Sequence, residues 1–121
     1  MASAGCSREE EIMSKIADAT FSGESGSYEF EAYSLDTTFN AVGAVYIFTK
    51  RTLDPSGRGT HAFLYIGQTD SLADRIPNHE KWPCLKRNGA NCICVHRDDN
   101  ERSRLEKETD LLAAHSTPCN D

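Results

Sequence analysis

Residues 41–48 read AVGAVYIF, a nearly continuous apolar run, and residues 62–66 read AFLYI, a second one. Short apolar runs bounded by turn residues are typical of buried strands. The segment between them, residues 53–59 (LDPSGRG), is rich in residues that favour turns. We therefore expect two neighbouring strands joined by a long connection.

The segments that follow predict further elements. A helix is expected from residue 71, a loop over residues 82–90 and a third strand over residues 92–96. A last helix is expected to begin near Asn100 and to run to about His115. The order β-β-α-β-α predicts an α+β fold, in which helices flank a small three-stranded antiparallel sheet.

The N-terminal third is predicted to be an extension of this domain. Residues 8–19 carry apolar side chains at helical spacing and predict a short amphipathic helix. Residues 22–27 (SGESGS) indicate a flexible linker, and residues 28–39 have the composition of an edge strand. We therefore divide the chain into an extension, residues 1–40, and a domain, residues 41–121.

The chain has 121 residues, which is enough for one hydrophobic core. It has no apolar run near the roughly 20 residues that a membrane-spanning helix needs, and its N-terminus lacks the apolar segment of a signal peptide. We expect a cytoplasmic protein that has no membrane partner. Five cysteines without regular spacing are expected to be free thiols in that reducing compartment.

The net charge of −6 is unfavourable for a protein that binds nucleic acid, but the charge is unevenly distributed. Residues 1–49 hold two Lys/Arg against eight Asp/Glu, whereas residues 50–104 hold ten against seven. The basic middle of the chain can contact a few phosphates without holding a nucleic acid tightly in salt. The acidic N-terminal segment is a candidate surface for a homodimer contact or a protein partner.

Glu108 is the most informative residue of the last predicted helix. Helical spacing points it into the middle of an apolar arc that includes Leu111. A carboxylate on a buried face is unfavourable unless a cation meets it. The residues alone leave two interpretations open, an internal ion pair with Arg75 or Arg104 and a metal site.

The helix predicted after residue 71 has a similar feature. Arg75 and His79 share one face with Leu72 and Ile76. A guanidinium offers a planar set of donors that suits phosphate oxygens. An ion pair with Glu108 would also explain why Arg75 lies among apolar residues. Each predicted strand also carries a tyrosine, Tyr46 in the first and Tyr65 in the second. Either tyrosine alone is more typical of a core residue than of a catalytic one.

Together these positions resemble the GIY-YIG nucleases, a family that includes homing endonucleases, some restriction enzymes and the incision module of bacterial excision repair. Ala44-Val45-Tyr46 stands where the family has Gly-Ile-Tyr, and Tyr65-Ile66-Gly67 is its second motif verbatim. Arg75 falls eight residues after Gly67, where the family has an arginine, and His79 matches a His or Tyr of many members.

The C-terminal positions extend the resemblance to residues 43–120. Glu108 precedes Leu111-Leu112 as the family's metal-binding glutamate precedes its Leu-Ile pair, and Asn120 follows Pro118 as in the family's terminal motif. The sequence departs from the pattern at Ala44, in the long loop between the tyrosine motifs and at Pro77. We expect Pro77 to kink or end the helix near Ile76, which would shift His79 more than Arg75.

The resemblance implies a GIY-YIG fold and a metal-dependent endonuclease that hydrolyses phosphodiester bonds in nucleic acid, with DNA as the expected substrate and RNA as the alternative. It implies that Glu108 holds Mg²⁺ or Mn²⁺, that Tyr46 is the general base, and that Tyr65 positions the phosphate or the water. Arg75 would bind the scissile phosphate, with Lys50 or His79 adding positive charge, and Asn120 would fix the geometry. His79 is an alternative base, since a histidine titrates near neutral pH.

Two other functions compete with this interpretation. A catalytically weak or inactive GIY-YIG domain would bind nucleic acid or protein, which suits the acidic N-terminal segment. A zinc protein would use Cys92, Cys94 and His96, which alternate along one side of a strand, with Cys84 or Cys119 as a fourth ligand. Alternating thiols are more typical of small core residues.

Overall fold

Within residues 15–120, the part of the chain that the computed structural model describes, five antiparallel strands form one sheet that curls into a half-barrel. The strands lie in the order β1-β2-β5-β3-β4, and three short helices accompany them. The strands are β1 Lys15–Ser22, β2 Ser27–Ser34, β3 Ala44–Leu53, β4 Gly59–Thr69 and β5 Cys92–Arg97. The helices are α1 Leu72–Arg75, α2 Trp82–Arg87 and α3 Glu101–Ala114.

The sheet is organised around β3, which pairs with β5 on one side and with β4 on the other. The first six residues of β3 are buried, because both of its faces are covered. Side chains alternate between the faces of a strand. Tyr46 and Phe48 therefore contribute to one hydrophobic cluster, and Val45 and Ile47 to another.

Each sheet face has its own helical cover. The face that carries Tyr46 and Phe48 packs against Leu72 of α1 and Leu85 of α2, and we call it the α1 face. The opposite face packs against Leu111 of α3, and we call it the α3 face. Residues that alternate along β3, β4 or β5 thus reach two separate environments.

The predicted fold class, a three-stranded sheet flanked by helices, is wrong. The N-terminal segment adds two strands, and β2 pairs with β5, so the molecule is mostly β. The predicted helix is wrong for residues 15–19, which lie in β1, while residues 8–14 lie outside the described residues. The exposure of β1 alternates along its whole length, but alanines occupy two of the inward positions and Ile16 is 42% exposed. This weak and partly inverted contrast resembles helical periodicity in the sequence.

The predicted edge strand over residues 28–39 corresponds to β2, which ends at Ser34 and lies inside the sheet between β1 and β5. The predicted linker is the turn of the β1–β2 hairpin, where the Gly23 N–H donates to the Gly26 carbonyl at 2.7 Å. The Asp110 carboxylate of α3 accepts from the Gly26 N–H at 3.1 Å and from the Tyr28 hydroxyl at 2.6 Å. The hairpin is therefore bound to α3, and a domain boundary at residue 40 remains a prediction.

Two of the five cysteines form a disulfide, Cys84–Cys119, which joins α2 to the C-terminal segment. The expectation of free thiols is therefore wrong for this pair and right for Cys92 and Cys94, which are free and buried. Cys6 lies outside the described residues. Among residues 15–120, no helix has the length and apolar character that crossing a membrane requires.

Candidate active site

Tyr46, Tyr65 and His79 pack together on the α1 face. The Tyr46 Oη lies 2.8 Å from the His79 Nε2. The tyrosine rings stack with centroids 6.0 Å apart, and the imidazole meets the Tyr65 ring edge-on at 4.7 Å. Tyr46 is fully buried and His79 is buried, whereas Tyr65 is half-buried. Tyr65 is therefore the most exposed of the three.

The chain reaches His79 because α1 ends early. The helix stops at Arg75 with Ile76 as its C-cap, as Pro77 predicts. A turn follows, in which the Trp82 Nε1–H donates to the Ile76 carbonyl at 3.0 Å. The turn brings the His79 side chain back to the sheet, so Pro77 does not prevent His79 from contacting Tyr46 and Tyr65.

The hydrogen bonds of His79 identify its tautomer. The Lys81 N–H donates to the His79 Nδ1 at 3.2 Å, so Nδ1 is an acceptor. A neutral imidazole then carries its proton on Nε2, which donates to the Tyr46 hydroxyl. Burial, followed by the charge of Arg75, lowers the pKa of His79 to about 4. The imidazole is therefore neutral at pH 7, and both of its nitrogens are engaged.

Tyr46 lies in an environment that opposes ionisation. Burial is the largest effect and raises the pKa of its phenol well above the usual value, and Tyr65 raises it further. The hydrogen bond and positive charge of Arg75 act in the other direction and lower the pKa of Tyr46. Arg75 is thus close enough to influence the Tyr46 phenol electrostatically.

Arg75 also has a carboxylate partner. Its Nη1 and Nη2 donate to the two carboxylate oxygens of Glu80 at 2.6 and 3.1 Å. This bond lowers the pKa of the exposed Glu80 to about 2 and raises that of Arg75. A bidentate carboxylate occupies the donors that a phosphate would use.

Gly67 allows the tyrosines to pack closely. A Cβ at this position would lie 2.8 Å from the Tyr46 Oη and 2.7 Å from the Tyr65 Cε1. Both distances are too short for an alanine without displacement of a ring. The glycine of the Tyr65-Ile66-Gly67 motif is therefore required sterically by both phenols.

Glu108 lies on the other side of the sheet, on α3. It is half-buried, and burial raises the pKa of its carboxyl. Within residues 15–120, its carboxylate has no hydrogen bond or ion pair. The ion pair expected with Arg75 or Arg104 is not formed, because Arg75 binds Glu80 and Arg104 donates to Gln68 and to the Asp98 carbonyl.

The orientation of Glu108 follows from Arg104, one helical turn earlier on the same face. The Arg104 Nε donates to the Gln68 Oε1 on β4 at 2.9 Å. Glu108 therefore lies on the side of α3 that faces β4, the strand that carries Tyr65. The structure brings Tyr46, Tyr65, Arg75 and His79 together on the α1 face and leaves Glu108 on the α3 face, where no contact joins it to the other four.

Asn120 holds the free edge of β4. Its side-chain Oδ1 accepts from the Ile66 N–H, and its Nδ2 donates to the Ile66 carbonyl, both at 2.9 Å. The adjacent Cys119 N–H donates to the Leu64 carbonyl at 2.9 Å. Asn120 thus fixes the backbone beside Tyr65.

Lys50 lies on β3 two positions after Phe48, and it is exposed. Its side chain passes over Gly89, where a Cβ would lie 3.4 Å from the Lys50 Cδ. Alternation along β3 places Lys50 on the α1 face, the face that carries Tyr46. No contact joins it to Tyr46 or Arg75 within the described part of the chain.

Of the predicted zinc ligands, Cys92 and Cys94 lie together, but His96, Cys84 and Cys119 do not join them. Cys84 and Cys119 are joined in the disulfide. The Nδ1–H of His96 donates to the Glu29 carbonyl at 2.8 Å, and its Nε2 accepts from the Lys107 Nζ at 2.8 Å. His61 approaches Cys92 and Cys94 instead. His61 could not be identified from sequence spacing, because only the pairing of β3 with β4 and β5 brings it near the thiols.

Comparison with family models, with curated proteins and with solved structures gives no significant match to the chain.

Proposed function

We propose that the protein is a metal-dependent endonuclease of the GIY-YIG type, which hydrolyses phosphodiester bonds in nucleic acid, with DNA as the expected substrate. One observation carries the proposal: two motif tyrosines, a histidine and an arginine that are distant in sequence share one site on the α1 face. A structural cluster needs no cation beside two phenols, whereas a phosphodiesterase needs positive charge beside a proton acceptor.

Arg75 and Tyr65 are the proposed phosphate-binding groups. The Arg75 side chain is 30% exposed and Tyr65 is half-buried, so both are accessible to a nucleic acid backbone. A phosphate would replace the Glu80 carboxylate on the same two guanidinium nitrogens. Lys50 adds a positive charge at the exposed end of β3.

Tyr46 is the proposed general base. Burial raises the pKa of its phenol above the usual value, while the hydrogen bond that His79 donates to the hydroxyl oxygen and the charge of Arg75 act against this rise. Both interactions stabilise the phenolate, which accepts the proton of the attacking water. The alternative in which His79 is the base has less support, because its pKa is lowered to about 4 and both of its nitrogens are engaged.

The Glu108 carboxylate fits a hard divalent cation. It is half-buried and lacks a partner among residues 15–120, and oxygen ligands are the ones that Mg²⁺ and Mn²⁺ prefer. When bound, such an ion neutralises phosphate charge and acidifies the attacking water. Glu108 and Arg75 lie on opposite faces of the sheet, so a substrate would have to contact both faces to reach the two residues together.

A catalytically weak or inactive domain that binds nucleic acid or protein is the second candidate. It is favoured by the Arg75–Glu80 ion pair and by the complete burial of Tyr46. In this case Arg75 would be a structural residue, and cleavage would be absent even where binding occurs.

A cleavage panel tests the proposal. Linear duplex, branched DNA, single-stranded DNA and RNA are incubated with the full chain, each with Mg²⁺, with Mn²⁺ and with a chelator. We expect metal-dependent cleavage of at least one DNA, and we expect Glu108→Gln to reduce the rate by roughly 100-fold or more. Glu106→Gln is the matched control, because it removes the same charge from an exposed position of the same helix.

The outcomes separate the two candidates. Cleavage that Tyr46→Phe, Arg75→Ala and Glu108→Gln all abolish, while Glu106→Gln does not, supports the nuclease. Binding without cleavage in every metal supports the non-catalytic domain. Cleavage that persists in Glu108→Gln contradicts the proposed metal ligand.

A further inference from the structure

His61, Cys92 and Cys94 form a second cluster, on the α3 face. One potential ligand atom from each residue lies within 4.8 Å of the other two. The cysteines alternate on β5 and His61 comes from β4, so the cluster spans the intervening strand β3. Both thiols are free and buried, and the imidazole is half-buried.

We propose that His61, Cys92 and Cys94 bind a thiophilic d¹⁰ cation, Zn²⁺, in a structural site distinct from the Glu108 carboxylate. Thiolate and imidazole are the ligands that zinc prefers, whereas Mg²⁺ and Mn²⁺ prefer oxygen. Two thiolates and a neutral imidazole form an uncharged complex with Zn²⁺. Such a complex avoids the unfavourable burial of a net charge among apolar side chains.

The spacing of the donors suits a shared ion. The His61 Nδ1 lies 3.9 Å from the Cys94 Sγ. Bond lengths of about 2.3 Å to sulfur and about 2.0 Å to nitrogen separate two ligands of one zinc ion by about 3.6 to 3.8 Å. A shift of a few tenths of an ångström would thus join both donors to one ion.

Polar neighbours surround the site. The fully buried Thr49 hydroxyl lies 2.8 Å from the same His61 Nδ1, so this hydrogen bond would be exchanged for the ion, and a water molecule would take the fourth coordination position. Arg51 lies two residues further along β3, and its Nε is buried without a hydrogen-bond acceptor among the described residues. Metal-bound thiolates would supply such an acceptor.

A surface groove gives the ion a route to these ligands. The curl of the sheet brings β1 towards β4, where the ring centroids of Phe21 and His61 lie 5.3 Å apart. His61, Arg51 and Gly59 line the groove between these strands. An ion bound there would connect β4 to β5 across β3 and stabilise the curl.

Metal titration of the full chain tests the site. Chelator-treated protein is titrated with Co²⁺, whose thiolate charge-transfer absorption reports sulfur ligation, and then with Zn²⁺. We expect one Co²⁺ to bind per chain, with the absorption of two thiolate ligands, and Zn²⁺ to displace it. Bound zinc should also protect Cys92 and Cys94 from alkylation. His61→Gln and Cys94→Ser should each weaken Co²⁺ binding by roughly 100-fold or more.

The controls exclude the other candidate ligands. His96→Gln removes a histidine from the same strand as the thiols, and the Cys84→Ser/Cys119→Ser double variant removes the disulfide cysteines. Cys6→Ser removes the remaining thiol, and all three variants should bind Co²⁺ like the parent chain. Because His61 lies at the groove, His61→Gln is expected to fold, and circular dichroism checks this.

Three results would overturn the assignment. The first is a parent chain that takes up no Co²⁺ or Zn²⁺, and the second is a folded His61→Gln variant that binds as tightly as the parent. The third is a chain that binds Cu⁺ but not Zn²⁺. None of these results depends on whether nucleic acid is cleaved.

Discussion

The Nε2 of His79 donates a hydrogen bond of 2.8 Å to the hydroxyl of Tyr46, although 33 residues separate the two in sequence. This bond holds a neutral imidazole in the protein interior. The same burial that lowers the pKa of His79 raises that of the Tyr46 phenol. The pair therefore stays uncharged unless Arg75 or a substrate changes its surroundings.

Stability is expected to fall in acid because of His79. Its pKa is about 4 in the folded chain and about 6.5 when unfolded, so the unfolded state binds more protons between these values. The free energy of unfolding should therefore decrease by roughly 1 to 3 kcal/mol as the pH falls from 6.5 to 4. Urea denaturation across this range measures the effect.

A histidine variant isolates this contribution. His79→Gln should be less stable at pH 7, but it should lose less stability on acidification than the parent chain. His115→Gln removes a histidine elsewhere and should keep the full acid dependence. If both variants respond to acid like the parent, His79 is not the group responsible.

Glu80→Gln is expected to strengthen nucleic acid binding. The substitution removes the carboxylate that engages Arg75, so the guanidinium becomes available to a phosphate. We expect roughly 5-fold tighter binding and a steeper dependence of affinity on salt. Fluorescence anisotropy at several salt concentrations measures both quantities.

The control for this prediction is Glu29→Gln, which removes the same charge from an exposed position on β2. It should change the affinity much less, because it frees no arginine. Equal gains in both variants would show that only net charge matters and that Arg75 does not meet the phosphate.

Gly67→Ala is expected to displace the tyrosines. The added Cβ would lie 2.8 Å from the Tyr46 Oη, so we expect destabilisation of about 1 to 3 kcal/mol and a loss of any cleavage activity. Gly59→Ala on the same strand is the control, since its Cβ would lie 2.9 Å from the Nε of Arg51, a long side chain that can shift more easily than two packed rings. Thermal unfolding compares the two, and equal stability losses would contradict the close packing at Gly67.

Reduction of the Cys84–Cys119 disulfide is expected to destabilise the chain by about 2 to 4 kcal/mol, because the bridge closes a loop between residues 35 positions apart. It should also loosen the neighbouring Asn120. Hydrogen exchange at the Ile66 amide, which donates to Asn120, should then accelerate more than exchange at Ile47 inside the sheet. If reductant leaves hydrogen exchange at the Ile66 amide unchanged, the disulfide does not support the contact between Asn120 and Ile66.

The sequence predicted the elements whose apolar patterns are strong. The apolar runs at residues 41–48 and 62–66 lie largely in β3 and β4, and the helix expected from Asn100 is α3, which Asn100 caps by accepting from the Ser103 N–H. β1 was missed because alanines weaken its alternation, and the internal position of β2 was missed because its pairing with β5 is non-local. Local patterns cannot report such pairing. The loop expected over residues 82–90 is wrong for Trp82–Arg87, which form α2.

The candidate site was predictable only in part, because local patterns identify its residues but do not reveal which of them meet in the fold. Tyr46, Tyr65, Arg75 and His79 were identified by their order and spacing, and they share one face. The Arg75–Glu80 pair was not anticipated, since several acidic residues compete for an arginine in a sequence. The position of Glu108 relative to the tyrosines depends on which sheet face α3 covers, and helical periodicity does not contain that information.

The contact between Asn120 and Ile66 also bears on how separate copies of the protein behave. β4 is the last strand on its side of the sheet, and a bare outer strand offers unpaired backbone groups to any other chain. The Asn120 amide satisfies both backbone groups of Ile66, and Cys119 satisfies the carbonyl of Leu64. The C-terminal segment thus occupies this part of the β4 edge as a sixth strand would, and it blocks edge-to-edge pairing of separate copies there.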